Sequence, residues 1–364
     1  MGSDTLPGSG QQVSDPNVDK WLGLRQEPFM KFARFRPDTF TLMLLAAVLI
    51  ASVLPVQGQA AVGFAWLTHA AIALLFFLHG AKLSRQAIVA GALHWRLHVL
   101  VFAVTFGAFP LFGVLLKPLL SPLVTGDLYL GVLYLCALPA TVQSAIALTS
   151  VARGNIPAAI CSASASTLLG IFVTPVLVES MLGAAGGGGS VLDSIIDIML
   201  QLMLPFVLGH LCRPLVARRL IRHPRLLKVV DQGSILLVVY TAFSDSVNQG
   251  LWLQTPWWAL GGLFVICAVI LTLSLTTTTQ LSRRLGFSKE DEITVVFCGS
   301  KKSLASGVPM AQVLFPDASV GAILLPIMLF HQMQLIVGAI LAQRYAARDN
   351  PPPASGPTTS KPIA

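Results

Sequence analysis

The sequence predicts an all-α polytopic membrane protein with ten transmembrane helices in two inverted five-helix repeats, and three observations carry that prediction. Hydrophobic residues fill 54% of the 364 positions and charged residues only 11%, with a mean hydropathy of +0.75. Soluble domains carry about a quarter charged residues, so the chain lies outside their range. Ten apolar runs follow one another, each near the roughly 20 residues a helix needs to cross a bilayer. The basic residues alternate in the spacers between these runs, as the excess of Lys and Arg on a cytoplasmic face requires.

In chain order, residues 1–37 are polar and mixed in charge, with Lys31, Arg34 and Arg36 just before the first apolar run. They read as a cytoplasmic tail and a short interfacial segment. So polar a beginning does not fit a cleaved signal peptide, and Leu6 stands where a myristoylation signal needs Ser or Thr. Apolar runs at 40–56, 61–81, 97–120, 127–151 and 156–180 make a first repeat over 38–182. Gly183 and the run Gly186 to Ser190 then read as a flexible linker, 183–190. Runs at 191–212, 230–248, 256–280, 292–315 and 319–343 make a second repeat over 191–346. A Pro- and Ser/Thr-rich tail, 347–364, is expected to be disordered and cytoplasmic.

With the N-terminus inside, the inner loops collect 21 of the 24 basic residues, the outer loops hold only Lys117, and Lys301 and Lys302 remain within a span. The net charge of +8 therefore points to anionic headgroups and not to nucleic acid. An odd number of spans per half makes the second half enter the membrane with opposite polarity, the arrangement of inverted-repeat transporters. The five cysteines fall within or at the ends of apolar segments and show no CxxC spacing, so neither a disulfide framework nor a zinc site is indicated.

Lys301 and Lys302 are the residues that most need a function. At about 1.5 Å per residue, Lys301 lies roughly 13 Å in from Glu292, close to the middle of a hydrocarbon layer about 30 Å thick. A cation there is costly and marks a functional site by default. Gly299, Ser300, Ser303, Ser306, Gly307 and Pro309 interrupt a regular helix around it. Four readings stay open: snorkelling to an interface, a tethered cation on broken-helix carbonyls, an anion-binding group, or a lysine that gives up its proton during transport. Adjacent helical residues diverge by about 100°, so the two lysines are assigned different roles, Lys301 structural and Lys302 the more exposed charge.

Span four carries a matching interruption at Leu138-Pro139-Ala140-Thr141-Val142-Gln143-Ser144. Alone, Pro139 with Thr141, Gln143 and Ser144 could be a kink with hydroxyls bonded back to their own helix. Paired with the lysine break in span nine, it becomes the pointer to a substrate site. Ser162 and Ser166 are candidate polar contacts, against a role in close helix packing. His331, Gln332 and Gln334 lie mid-way along span ten; His331 is either a hydrogen-bonded core residue or a proton-coupling group. His79 falls nearer the cytoplasmic end of span two. No carboxylate lies deep, so an anionic substrate could supply the lysines' partner.

Several stretches together carry a resemblance: LLFFLHGAKLSR, LYLCALPATVQSAIALTSVARGNIPAAICSASAS, VDQGSILLVVYTAFS, EDEITVVFCGSKKSLASGVPMAQVLF and LPIMLFHQMQL. From about Phe35 to Ala347 the chain resembles the bile acid:sodium symporter family, in the branch found in bacteria with a vertebrate relative. The resemblance implies that helices four and nine are broken and cross, and that a panel domain of spans one, two, six and seven moves against a core of the other six. It also exposes departures. With Gly299 aligned, Phe297 stands where sodium-coupled members place glutamate, Lys301 where they place glutamine, and Thr105 where they have glutamine in helix three. Ala159 and Ala163 replace hydroxyl ligands, although Ser162, Ser164, Ser166 and Thr167 lie alongside. These departures count against sodium binding by oxygen ligands, and a lysine ammonium would take the volume of the ion.

The function expected is a secondary transporter in the plasma membrane, or the inner membrane of a bacterium, moving a small or amphipathic organic anion by alternating access. A sodium-coupled symporter of the bile-acid type and a membrane-embedded regulator that keeps the transporter fold are the alternatives. No cofactor is expected, and sodium is a doubtful ligand. No nucleophile with an adjacent base, HExxH or phosphate-binding loop points to an enzyme.

Overall fold

A computed structural model describes residues 39–82, 94–182, 202–216, 224–315 and 320–347. The expected N-terminal tail, all but the first residue of the expected C-terminal tail, the whole linker and the first part of span six lie outside the described residues. Among the described residues the secondary structure is helical throughout, with no strand. Helices α1 (Thr39–Val53) and α2 (Gly58–Lys82) are followed by α3 (Trp95–Leu115), which carries a π-turn at Val104–Ala108. Then come α4 (Gly126–Ala137), α5 (Gln143–Val151), α6 (Ile156–Leu182), α7 (Leu202–Leu211) and α8 (Pro224–Asn248). The chain continues through α9 (Trp257–Arg284), α10 (Lys289–Gly299), α11 (Leu304–Leu314) and α12 (Val320–Ala347). Six of these are long and apolar enough to cross a membrane, and α1, α4 and α7 are shorter apolar helices.

The helix ends follow local chemistry. α1 stops before Leu54-Pro55, short of the expected residue 56, because proline cannot continue the ladder. α3 likewise stops at Leu115 instead of residue 120; two short turns built on Pro118 and Pro122 cover 117–123. α10 opens with Ser288, whose side chain accepts from the Asp291 amide, and Glu290, Asp291 and Glu292 in its first turn complement the helix dipole. Arg153, with φ of 58°, closes α5 in the left-handed region while the Gly154 amide reaches back to the Thr149 carbonyl. α9 ends on Gly286 in the same manner, with the Phe287 amide on the Ser282 carbonyl.

Two groups of helices can be told apart by what ties them. In one, α2 meets α8 through the buried Thr68–Thr241 hydroxyl pair at 3.0 Å. Tyr240 Oη donates to the Leu54 carbonyl, Asn248 Nδ2 to the Val56 carbonyl, Gln57 Nε2 to Asn248 Oδ1, and Trp252 Nε1 to Ser52 Oγ. α2 and α7 touch backbone to backbone, since a Cβ on Gly80 would fall on the Phe206 carbonyl and one on Gly209 on the Phe77 carbonyl. In the other group, α4 packs on α12 and α11, with Tyr134 Oη donating to the Gly307 carbonyl at 2.7 Å. There α3 joins α6 through His98 Nδ1 and Ser162 Oγ at 2.7 Å. The α5–α6 turn joins α10 through Asn155 Nδ2 and Asp291 Oδ1 at 2.9 Å.

Gly209→Val sets a branched side chain against the Phe77 carbonyl and is expected to cost about 1–3 kcal/mol. Gly261→Ala, where nothing lies within 4 Å of the added carbon, is expected to be stabilising by up to about 1 kcal/mol. Melting temperatures of the purified variants in detergent test both.

Candidate functional site

Both interruptions form where proline and glycine place them. Leu138, the residue before Pro139, adopts an extended conformation (φ −69°, ψ 152°), so α4 ends at Ala137 and α5 begins only at Gln143. α10 ends at Gly299, and α11 starts at Leu304 with Ser303 as its N-cap, accepting from the Ser306 amide at 3.2 Å. The two breaks touch: the Ser303 amide donates to the Pro139 carbonyl at 2.9 Å.

A helix that ends inside a membrane leaves carbonyls that water cannot reach. Here each carbonyl at the end of α4 has a donor. Cys136 and Leu138 accept from Lys302 Nζ at 2.8 and 2.7 Å, Ala137 accepts from Thr174 Oγ1 at 2.9 Å, and Pro139 accepts from Ser303. On the other side of the break the Ala140 amide finds Ser166 Oγ at 2.9 Å. Gly170 leaves room for the Pro139 ring, which a Cβ there would meet at 2.6 Å.

The third bond of Lys302 Nζ goes to the Thr105 carbonyl at 2.8 Å. That carbonyl is free because of Pro110. In the π-turn the Phe109 amide turns to Val104, and the next residue has no N–H to give to Thr105. All three ammonium protons are thus placed on carbonyls, and the Phe109 ring lies 4.1 Å from Nζ, within cation–π range. Lys302 and Lys301 are 1% and 2% exposed. Neither snorkels, and Lys302 is not the more exposed of the two.

Lys301 points a different way. Its Nζ donates to the Gln334 carbonyl of α12 at 3.0 Å and lies 5.8 Å from the Phe297 ring centre. Gly338 makes this possible, because a Cβ there would stand 2.7 Å from Nζ. The expected assignment is therefore reversed: Lys302 holds the broken-helix carbonyls, and Lys301 braces the break against α12.

Gln334 fastens the same break from its side chain. Its Oε1 accepts from the Lys302 amide at 2.8 Å and its Nε2 donates to the Lys302 carbonyl at 2.9 Å, replacing the helical partners that the interruption removes. His331 Nδ1 lies 3.0 Å from the same Nε2. The other expected residues divide. Ser166 and Ser303 sit at the crossing, whereas Ser300 bonds back to the Val296 carbonyl and Ser162 turns to His98. Ser144 bonds Thr141 at 3.3 Å, Gln143 is exposed, and Gln332 turns away from the crossing to accept from Thr41 Oγ1 on α1. Thr105, Phe109, Pro110 and Gly338 were not singled out for these contacts; the one sequence signal was a proline inside span three.

A crevice lies beside the crossing, between α2 and the helices α6 and α11. His79, Thr167 and Ser306 are its polar lining, with Phe76, Ile171 and Met310 among the apolar.

Residues 38–347 match the family model described as the SBF-like CPA transporter family (DUF4137). The chain is 65% identical over 319 residues to protein PA2026 of Pseudomonas aeruginosa, covering 88% of this chain and 96% of the relative. It is 54% identical over 308 residues to "Putative symporter YfeH" of Escherichia coli, covering 85% and 92%. Identity to "Sodium/bile acid cotransporter 7" of Danio rerio is 27% over 316 residues, covering 85% and 94%.

Lys302→Met strips the partner from three buried carbonyls, each worth about 1–3 kcal/mol when left unsatisfied, whereas Lys301→Met strips it from one. The expected result is a drop in melting temperature at least twice as large for Lys302→Met.

Proposed function

The chain belongs to the SBF-like CPA transporter family, and from that premise we propose a secondary transporter that moves a small or amphipathic organic anion by alternating access, with Lys302 standing in for a coupling sodium ion. The observation that carries this reading is the pair of facing breaks pinned by one ammonium on the carbonyls of Thr105, Cys136 and Leu138. Carbonyl oxygens are the ligands that a hard monovalent cation takes. Supplied by a side chain, the cation never leaves, and the crossing keeps its shape without an ion from solution.

In this reading α4 with α5 and α10 with α11 are spans four and nine, and the other eight spans are α1, α2, α3, α6, α7, α8, α9 and α12. Five spans fall in each half, so the halves are inverted, and both termini face the cytoplasm of a plasma or bacterial inner membrane. The preference for an anion rests on charge. Two ammonium groups lie within the crossing, and their hydrogen bonds go to carbonyls. α11 also turns its N-terminal dipole toward the crevice at Ala305 and Ser306. Thr167, Ser306 and His79 offer hydrogen bonds along the path.

A sodium-coupled symporter is the second reading, favoured by the name of the Danio rerio relative. Uptake of radiolabelled organic anions into proteoliposomes decides between them. Lys302→Gln is expected to lower the rate at least tenfold and Lys301→Gln by less. Replacing sodium with choline is expected to leave the wild-type rate unchanged; a rate that follows sodium would establish the second reading. Normal uptake by both lysine variants would remove their assigned roles.

A further inference from the structure

The two groups of helices meet unequally at their two ends. At the end that holds the Val53–Gly58 turn, α8 is bound to its own group by Tyr240, Asn248 and the nearby Trp252. It packs on α11 and α12 of the other group and is hydrogen-bonded to it through Ser246, whose Oγ accepts from the Gly321 amide at 2.8 Å. That amide is in the first turn of α12, where no intrahelical carbonyl is available to it, so a serine on a different helix satisfies it. The contact is buried, with Ser246 1% and Leu251 3% exposed. It is also close-fitting: a Cβ on Gly321 would stand 2.7 Å from Ser246 Oγ and 3.4 Å from Leu251 Cδ2. Toward the other end the groups part, leaving the crevice lined by Phe76 and His79 of α2 and by Thr167 and Ser306 opposite. There Thr41 Oγ1 and Gln332 Oε1, 3.0 Å apart, connect α1 to α12 beyond the crevice.

We infer that Ser246 and Gly321 form the gate that seals one side of the transport path, and that the structure is the state closed there and open at the His79 crevice. The inference rests on the alternating-access reading and adds to it the contact that must break. One hydrogen bond and a glycine-dependent fit suit that task. A single neutral hydrogen bond contributes modestly, enough to bias which state prevails and small enough to be undone when a ligand binds the other state more tightly. Within its own group α8 has several bonds, so the group can move as one piece over the α11 and α12 surface that α8 packs against once the Ser246–Gly321 bond opens.

Two single-cysteine reporters test the gate without a known substrate, in a Cys212→Ser background; the four other cysteines are buried. Val320→Cys, beside the gate at a position 7% exposed, leaves both gate atoms in place, and Ala305→Cys reports on the crevice. Each is labelled with a membrane-impermeant maleimide in sealed right-side-out and inside-out vesicles. Val320→Cys is expected to react slowly and Ala305→Cys quickly in the parent, from opposite sides. Adding Gly321→Ala is expected to speed labelling at Val320→Cys by about tenfold and to slow it at Ala305→Cys, because opening one side closes the other. Ser246→Ala, which adds no atom, is expected to act in the same direction by a smaller factor. Unchanged labelling at Val320→Cys in both variants overturns the gate, and so does acceleration at both reporters together, which marks a loosened fold. Uptake judges the transport reading separately: a gate overturned while uptake still requires Lys302 leaves that reading intact.

Discussion

One ammonium group organises the centre of this protein. Lys302 Nζ gathers the carbonyls of Thr105, in the π-turn of α3, and of Cys136 and Leu138, at the end of α4. In water such carbonyls would be hydrated; inside a bilayer each would carry its full desolvation penalty. The lysine and the carbonyls offset each other's cost. Without the lysine the break at Pro139 would expose polar backbone to a dry interior, and without the break the lysine would be an uncompensated charge.

Other backbone groups at the two breaks are paired in the same way. Thr174, Ser166 and Ser303 take the backbone atoms of the α4 break that Lys302 leaves, and Gln334 takes both backbone atoms of Lys302 itself. Partly paired polar groups in a low dielectric are costly, so in the proposed transport cycle the bonded crossing is kept together as one unit. That cycle places the motion at the contact between helix groups, where Ser246–Gly321 and Thr41–Gln332 are hydrogen-bonded across and a crevice lies between α2 and the helices α6 and α11.

Much of this was legible in advance. Leu138-Pro139-Ala140 and Cys298-Gly299-Ser300-Lys301-Lys302-Ser303 announce both breaks by composition alone, and the structure ends helices within a residue or two of where those stretches begin. That a lysine would sit on broken-helix carbonyls was among the readings the sequence allowed. Which lysine was not legible, because adjacent residues in a non-helical segment can point either way. Gln332 and Gln334 look alike in sequence, yet two residues along α12 one faces α1 and the other faces the break.

What the amino-acid sequence determined by itself is the class of the molecule: apolar runs of membrane length, their interruption at proline and glycine, and the placing of two cations where only carbonyl or anionic partners could stabilise them. These depend on composition and on neighbours along the chain. The tertiary structure alone decided the partners. A carbonyl carries no residue identity, so nothing in the letters Thr105, Cys136 and Leu138 says that they converge on one nitrogen more than 160 positions away. Nor does a lone glycine say whether it makes room for a lysine, as Gly338 does, or for a serine, as Gly321 does. Such choices are made by which backbones pack within contact distance, and only folding brings those backbones together.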